Sequence, residues 1–227
     1  KVALREQKQG KPISSLENNG VTNGAAMRVS PLGCVLPSAP LRTFVDQVWE
    51  ASSPTHKSDI AVAGAVTIAW AVSKAVEGAA WDEIKMALPA VATYAQEFRP
   101  STFSASLAAR IELALSVVAG ADGVEDACER VYQLVGAGVS TIESVPAAIA
   151  MVDLSQGCPN QCAVLCANLG GDTDTIGAMA TAICGALKGV NAIKPEWLAT
   201  LQQTNPIDMT RYSTAFEKFR AQWQEAK

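Results

Sequence analysis

Apolar positions along this chain recur at intervals of three and four, and strict alternation by two is scarce, so the pattern predicts helices and few strands. The periodic stretches fall at about 41–51, 59–77, 81–97, 104–118, 123–136, 143–155, 159–167, 175–188, 194–203 and 207–226. Gly10, Gly20, Gly24, Gly33, Gly120, Gly123 and Gly157 punctuate the turns between them. The fold class implied is all-α, a compact multi-helix domain, and nothing in residues 1–227 reads as an interdomain linker. Ile60 to Ser73 is an uncharged run that follows a capping Ser58-Asp59 pair. Being too short to span a bilayer, it is expected to form a buried core helix, and no membrane span is expected. In the last predicted helix, Met209, Tyr212, Phe216, Phe219 and Trp223 form an apolar face expected to pack on the body of the protein. Val2 to Gln9 is helix-compatible and stops at Gly10 with Pro12 beyond, but it has no start signal. An N-terminal segment of the natural protein is therefore expected to be missing, and the domain to be N-terminally incomplete.

Charge and rare residues narrow the chemistry. A net charge of -4 without a Lys/Arg cluster gives no footprint for nucleic acid or for an anionic membrane. The single histidine, His56, excludes a zinc site built of histidines. A Ser-His-Asp triad would have to use that histidine, and no Gly-x-Ser-x-Gly elbow carries a serine. Of the six cysteines, Cys158, Cys162 and Cys166 fall four apart on a helix opened by Pro159, the spacing of a packed stripe. A reducing, cytoplasmic compartment is expected.

The chemistry concentrates at residues 168–175, Asn-Leu-Gly-Gly-Asp-Thr-Asp-Thr. Asp172, Asp174 and Thr175 place three hard oxygen donors at the mouth of an apolar helix, where Ile176, Met179, Ala180, Ile183, Cys184 and Leu187 recur at helical spacing. Two carboxylates this close repel unless a positive charge sits between them, and all-oxygen ligands favour magnesium, manganese or calcium over zinc. An ordinary helix N-cap explains one of the carboxylates but not the second. A second informative stretch is Asn18-Asn19-Gly20-Val21-Thr22-Asn23-Gly24-Ala25-Ala26-Met27-Arg28, ahead of a short helix that Pro31 is expected to interrupt. Such a loop exposes backbone N–H groups that can hold a phosphate, although Asn-Gly is also a common turn dipeptide. Arg28 is read either as neutralising phosphate or as pairing with a buried carboxylate. His56 is read as a substrate contact or a plain loop histidine.

Four blocks together resemble the ADP-ribosylglycohydrolase family: Asn23-Gly24-Ala25-Ala26-Met27-Arg28, Thr55-His56, the Gly138-to-Pro146 segment ending Glu143-Ser144-Val145-Pro146, and Leu169-Gly170-Gly171-Asp172-Thr173-Asp174-Thr175. They stand in the family's order over about residues 18–189. The resemblance implies an all-α fold with a centre of two magnesium or manganese ions, and hydrolysis of the glycosidic bond at the distal ribose of an ADP-ribosylated protein or small molecule. By the same resemblance Asp172, Asp174 and Thr175 are metal ligands, with Asp174 bridging the ions, and Asp172 and Asp174 act in catalysis through the metal. The backbone from Gly20 to Gly24, including Val21 and Asn23, matches the diphosphate loop, with Met27 beside it. His56 matches a substrate-contacting histidine, and Gly138 and Val139 a wall of the adenosine pocket.

Two departures from the family pattern set further expectations. Its remaining metal ligands, a Thr-Asp-Asp cluster, and its proposed acidic catalytic residue are not found in this sequence. The chain by itself is thus expected to bind metal weakly and to be inactive unless a cleaved N-terminal segment stays associated. Val21 and Thr22 stand where relatives carry an aromatic residue and a glycine. Outside the enzyme reading, a non-catalytic nucleotide binder or structural protein also fits the fold. An Asp-x-Asp phosphotransfer enzyme fits poorly, because such sites follow a β-strand.

Overall fold

The uncharged run from Ile60 is the axis around which the rest of the chain is laid. The computed structural model describes residues 8–10, 20–98 and 102–225. Among them the regular elements are helical: α1 (Ser30–Val35), α2 (Leu41–Ser52), α3 (Asp59–Val76), α4 (Trp81–Phe98), α5 (Leu107–Ala119), α6 (Val124–Arg130), α7 (Thr141–Leu154), α8 (Pro159–Leu169), α9 (Thr173–Lys188), α10 (Pro195–Thr204) and α11 (Met209–Glu225). One isolated antiparallel bridge joins Thr22 to Ser140. The expected helix from Val2 to Gln9 falls almost wholly outside the described residues, as do Asn18 and Asn19.

Helix α3 is long and apolar enough to cross a membrane by length and composition, with a mean hydropathy of 1.5, but 89% of it is buried inside this fold. It packs against α1, α2, α4, α7 and α9. Ser58 caps it by accepting the Ala61 N–H, which fixes its start at the expected place. Small residues along it let neighbours approach closely: a Cβ on Gly64 would lie 2.3 Å from Thr141 Cγ2 of α7. Burying each Ile or Val of α3 contributes roughly 1.5–3 kcal/mol, so this helix anchors the core. All six cysteines are free, with Cys162, Cys166 and Cys184 buried between α8 and α9.

Several boundaries differ from the periodic reading for local reasons. Pro31 does not interrupt a helix; it sits in the first turn of α1, where its missing N–H costs nothing, after a separate 3₁₀ turn at Ala26–Arg28. Helix α5 starts three residues late, since the segment before it is tied to other elements: Thr102 donates to Asp59, and Gln96 Nε2 donates to Ala105 O at 3.0 Å. Expected as one helix, residues 123–136 are α6 followed by a π-helical turn, Val131–Val135, which buries both valines and ends at Gly136. Helices α7 and α9 each begin two residues early, because Ser140 and Asp172 take the cap positions.

The apolar face of the last helix is the largest correction. Met209, Tyr212 and Phe219 are exposed, and Arg220 is the one buried residue of α11. The helix touches the body near its C-terminal end. There Arg220 donates to the carbonyls of Gly33, Cys34 and Leu36, to Ser73 Oγ, and to Glu77 at 2.8 Å. Trp223 lies beside Leu36, Pro40 and Phe44 around a cavity of about 230 Å³. Seven residues before Trp223, Phe216 is only half-buried.

Candidate active site

Three of the four blocks singled out in the sequence meet at the ends of α7 and α9. The chain from Val21 to Asn23 runs antiparallel to Val139–Thr141: the Asn23 N–H donates to Val139 O at 2.9 Å, and the Thr141 N–H to Val21 O at 2.9 Å. The Asp172 N–H donates to Ala137 O at 2.7 Å. Asn23 Nδ2 donates to Asp172 Oδ2 at 2.6 Å, joining residues 149 positions apart. Gly171, at φ +70, makes this approach possible: a Cβ there would sit 2.2 Å from Ala137 O.

The fourth block arrives through the loop ahead of α3. Thr22 Oγ1 and His56 Nε2 are 3.0 Å apart, and His56 Nδ1 lies 2.9 Å from Thr55 Oγ1. The imidazole packs closely against Gly24, where a Cβ would come within 2.6 Å of its Cε1. Ser58 Oγ donates to Gly20 O at 2.7 Å, so the residue that caps α3 also ties down the start of the glycine loop. Of the two readings of Arg28, the buried carboxylate is not found: among the described residues its guanidinium donates to Gly24 O at 3.0 Å and to Thr55 Oγ1. Burial of His56 itself, and secondarily the positive charge of Arg28, hold the imidazole below its ordinary pKa.

The three oxygen donors are placed differently. Asp172 is half-buried and already accepts the Asn23 amide. Thr175 is 8% exposed, its hydroxyl 3.9 Å from Met27 Sδ. Asp174 is exposed, has no hydrogen-bond or ionic partner among the described residues, and lines a groove between α8 and α9 with Ala163, Cys166, Ala167, Gly177 and Thr181. Across the Thr22–Ser140 bridge, Val21 and Val139 are 42% and 58% exposed, an aliphatic pair open to solvent on one edge of the site. Of the backbone N–H groups in the glycine loop, that of Asn23 is spent on Val139.

A family model described as ADP-ribosylglycohydrolase matches residues 2–225. The chain belongs to the ADP-ribosylglycohydrolase family. It is 64% identical over 222 residues to the uncharacterized protein YegU of Escherichia coli (strain K12), covering 98% of this chain and 66% of that relative. It is 30% identical over 193 residues to the ADP-ribosylhydrolase ARH3 of Xenopus tropicalis, covering 77% of this chain and 54% of that protein. The chain thus spans between about half and two-thirds of the length of these curated relatives. Within an ADP-ribosylglycohydrolase, the sequence reading missed Thr22, Ala137 and Ser58, which supply no chemistry but hold His56, Asp172 and Gly20. Only Ser58 had a signal, its capping position. Thr22 and Ala137 act through contacts that no periodicity announces.

Proposed function

We propose that this chain carries most of the substrate site of a hydrolase that cleaves the glycosidic bond at the distal ribose of an ADP-ribosylated protein or small ribosyl metabolite, using magnesium or manganese. The supporting observation is the joint at Asn23 and Asp172, which brings the glycine loop against the paired carboxylates. Both are needed if one molecule carries a diphosphate and a ribose.

The donor set fits a hard divalent cation. Asp172, Asp174 and Thr175 offer only oxygens, Asp174 has no competing partner among the described residues, and the Asn23 amide engages one oxygen of Asp172 and leaves the other. Three such donors are half of an octahedral shell, so water, substrate or chain outside the described residues completes it. When bound, the ion supplies positive charge that grips ribose hydroxyls and makes a water more acidic. Asn23 orients the Asp172 carboxylate. The aliphatic pair Val21 and Val139 flanks the adenine, with Gly138 behind it. Gly20, Gly24, Met27 and the Arg28 guanidinium line the diphosphate, while His56, whose ring nitrogens face Thr22 and Thr55, meets the substrate by exchanging its contact with the Thr22 hydroxyl. Placing a glycosidic bond beside an oriented water is the catalytic contribution expected of the protein. The proposal extends to a cytoplasmic setting, with neither nucleic acid nor membrane as partner, consistent with a net charge of -4 and six free thiols.

One observation favours a second reading, a nucleotide binder without turnover. Among the described residues, no group of three or more His, Cys, Asp or Glu side chains is placed to hold a metal. Release of ADP-ribose from ADP-ribosylated arginine and serine peptides in magnesium separates the two, measured for this chain and for full-length YegU with their Asp174→Ala and equivalent variants. Turnover that disappears in the variant while ADP-ribose still binds supports the hydrolase. Binding without turnover in both proteins supports the binder.

A further inference from the structure

Asn23 and Asp172 do not hold only each other. Both hang from one loop, Gly136–Ser140, between the π-helical turn and α7: Ala137 O accepts from Asp172 and Val139 O from Asn23. A loop that begins with two glycines in three residues has little shape of its own, and Glu143 supplies it. Ser140-Thr141-Ile142-Glu143 has the spacing of a capping box, in which the serine hydroxyl accepts from the glutamate N–H and the carboxylate returns to the serine N–H. Here the box is not made. The Ser140 side chain makes no cap hydrogen bond. The Glu143 carboxylate reaches past the cap and accepts from the Gly138 N–H at 2.9 Å. The glutamate fills the room a Cβ would need at either glycine, with Oε2 2.8 Å from that position at Gly136 and 2.7 Å at Gly138.

We propose that Glu143 is a positioning residue whose carboxylate clamps the Gly138 amide and so presents the Ala137 and Val139 carbonyls to the segments bearing Asp172 and Asn23. Its consequence for ADP-ribose rests on the function proposed above; its consequence for the loop does not. A hydrogen bond to one amide fixes a peptide chain whose outward carbonyls hold two others. Reach matters here, and charge by itself does not.

Substitutions that separate reach from charge test this. Glu143→Gln keeps the reach and an accepting oxygen; Glu143→Asp keeps the charge at the N-terminus of α7 but withdraws the oxygen by one methylene. The readouts are amide hydrogen exchange on the full chain and ADP-ribose affinity. The expected result is exchange at Asn23, Gly138 and Asp172 faster by about tenfold or more in Glu143→Asp, with amides of α3 unchanged and Glu143→Gln near wild type. ADP-ribose affinity should fall by about tenfold in Glu143→Asp and little in Glu143→Gln. A purely electrostatic role at the helix terminus would give the reverse order, since Asp serves there as well as Glu, and would overturn the proposal. Equal acceleration across α3, or no change at Asn23 and Asp172, would overturn it as well. If the wild-type chain does not bind ADP-ribose, the functional reading fails, while exchange still decides the role of Glu143.

Discussion

Helices α3 and α11 are nearly equal in length, 18 and 17 residues, yet the fold buries sixteen residues of the first and one of the second. The first is small and apolar on every side and is covered on every side. The second, with α10, which has no buried residue, forms a C-terminal extension fastened by a guanidinium and an indole. Every residue assigned to the site hangs on the body: the glycine loop on Ser58 at the start of α3, His56 just before it, and Asp172 at the start of α9. The chemistry therefore depends on the part of the molecule with the most buried surface, and α10 and α11 contribute none of it.

The widest contrast is expected from Ile68→Ala in α3, where a fully buried side chain leaves a cavity: a loss of about 3–4 kcal/mol, seen as one cooperative thermal transition moving down with the site included. Arg220→Ala removes a guanidinium that serves three carbonyls, a hydroxyl and Glu77. About 2–3 kcal/mol should be lost locally, with limited proteolysis cutting before α11 while ADP-ribose binding stays within twofold; a parallel loss of binding would mean the extension supports the site after all. Asn23→Ala deletes the bond to the Asp172 carboxylate, worth about 1.5–2 kcal/mol. Calorimetry should show weaker ADP-ribose binding, together with a melting temperature lower by a few degrees.

The smallest effect is a pH dependence. Burial and Arg28 lower the folded pKa of His56, so the unfolded chain binds the proton more readily. The neutral imidazole is favoured above the unfolded value near 6.5, and stability drains as pH falls from there through the lower folded value. His56→Gln should flatten the acid side of a melting-temperature profile measured between about pH 7 and 5.

Most of the body was legible in the sequence because helical periodicity, caps and glycine stops are local signals. Ser58 marked α3, and the run from Ile60 foretold its burial. What could not be read is what depends on distant partners. The apolar residues of α11 have the spacing of a packed face, but nothing in their periodicity reveals that the helix is fastened near its end, through Arg220. The π-helical turn after Arg130 keeps apolar spacing while adding a residue to the turn, so it passed as plain helix. At the site, residue types identified the blocks, and the joint of Asn23 with Asp172 required two segments 149 positions apart to meet. Of the two readings of Arg28, only the buried carboxylate fails, because a carbonyl and a hydroxyl lie within reach of the guanidinium instead.

The sheath around α3 also sets a timetable for synthesis. Its neighbours α1 and α2 come before it, but α7 and α9 follow later, the last ending at Lys188, roughly 110 residues after α3 is complete. At ribosomal rates of about 5–20 residues per second, one flank of this greasy rod stays wet for on the order of ten seconds. For that interval the uncovered apolar flank is open to aggregation, the exposure that chaperones exist to counter.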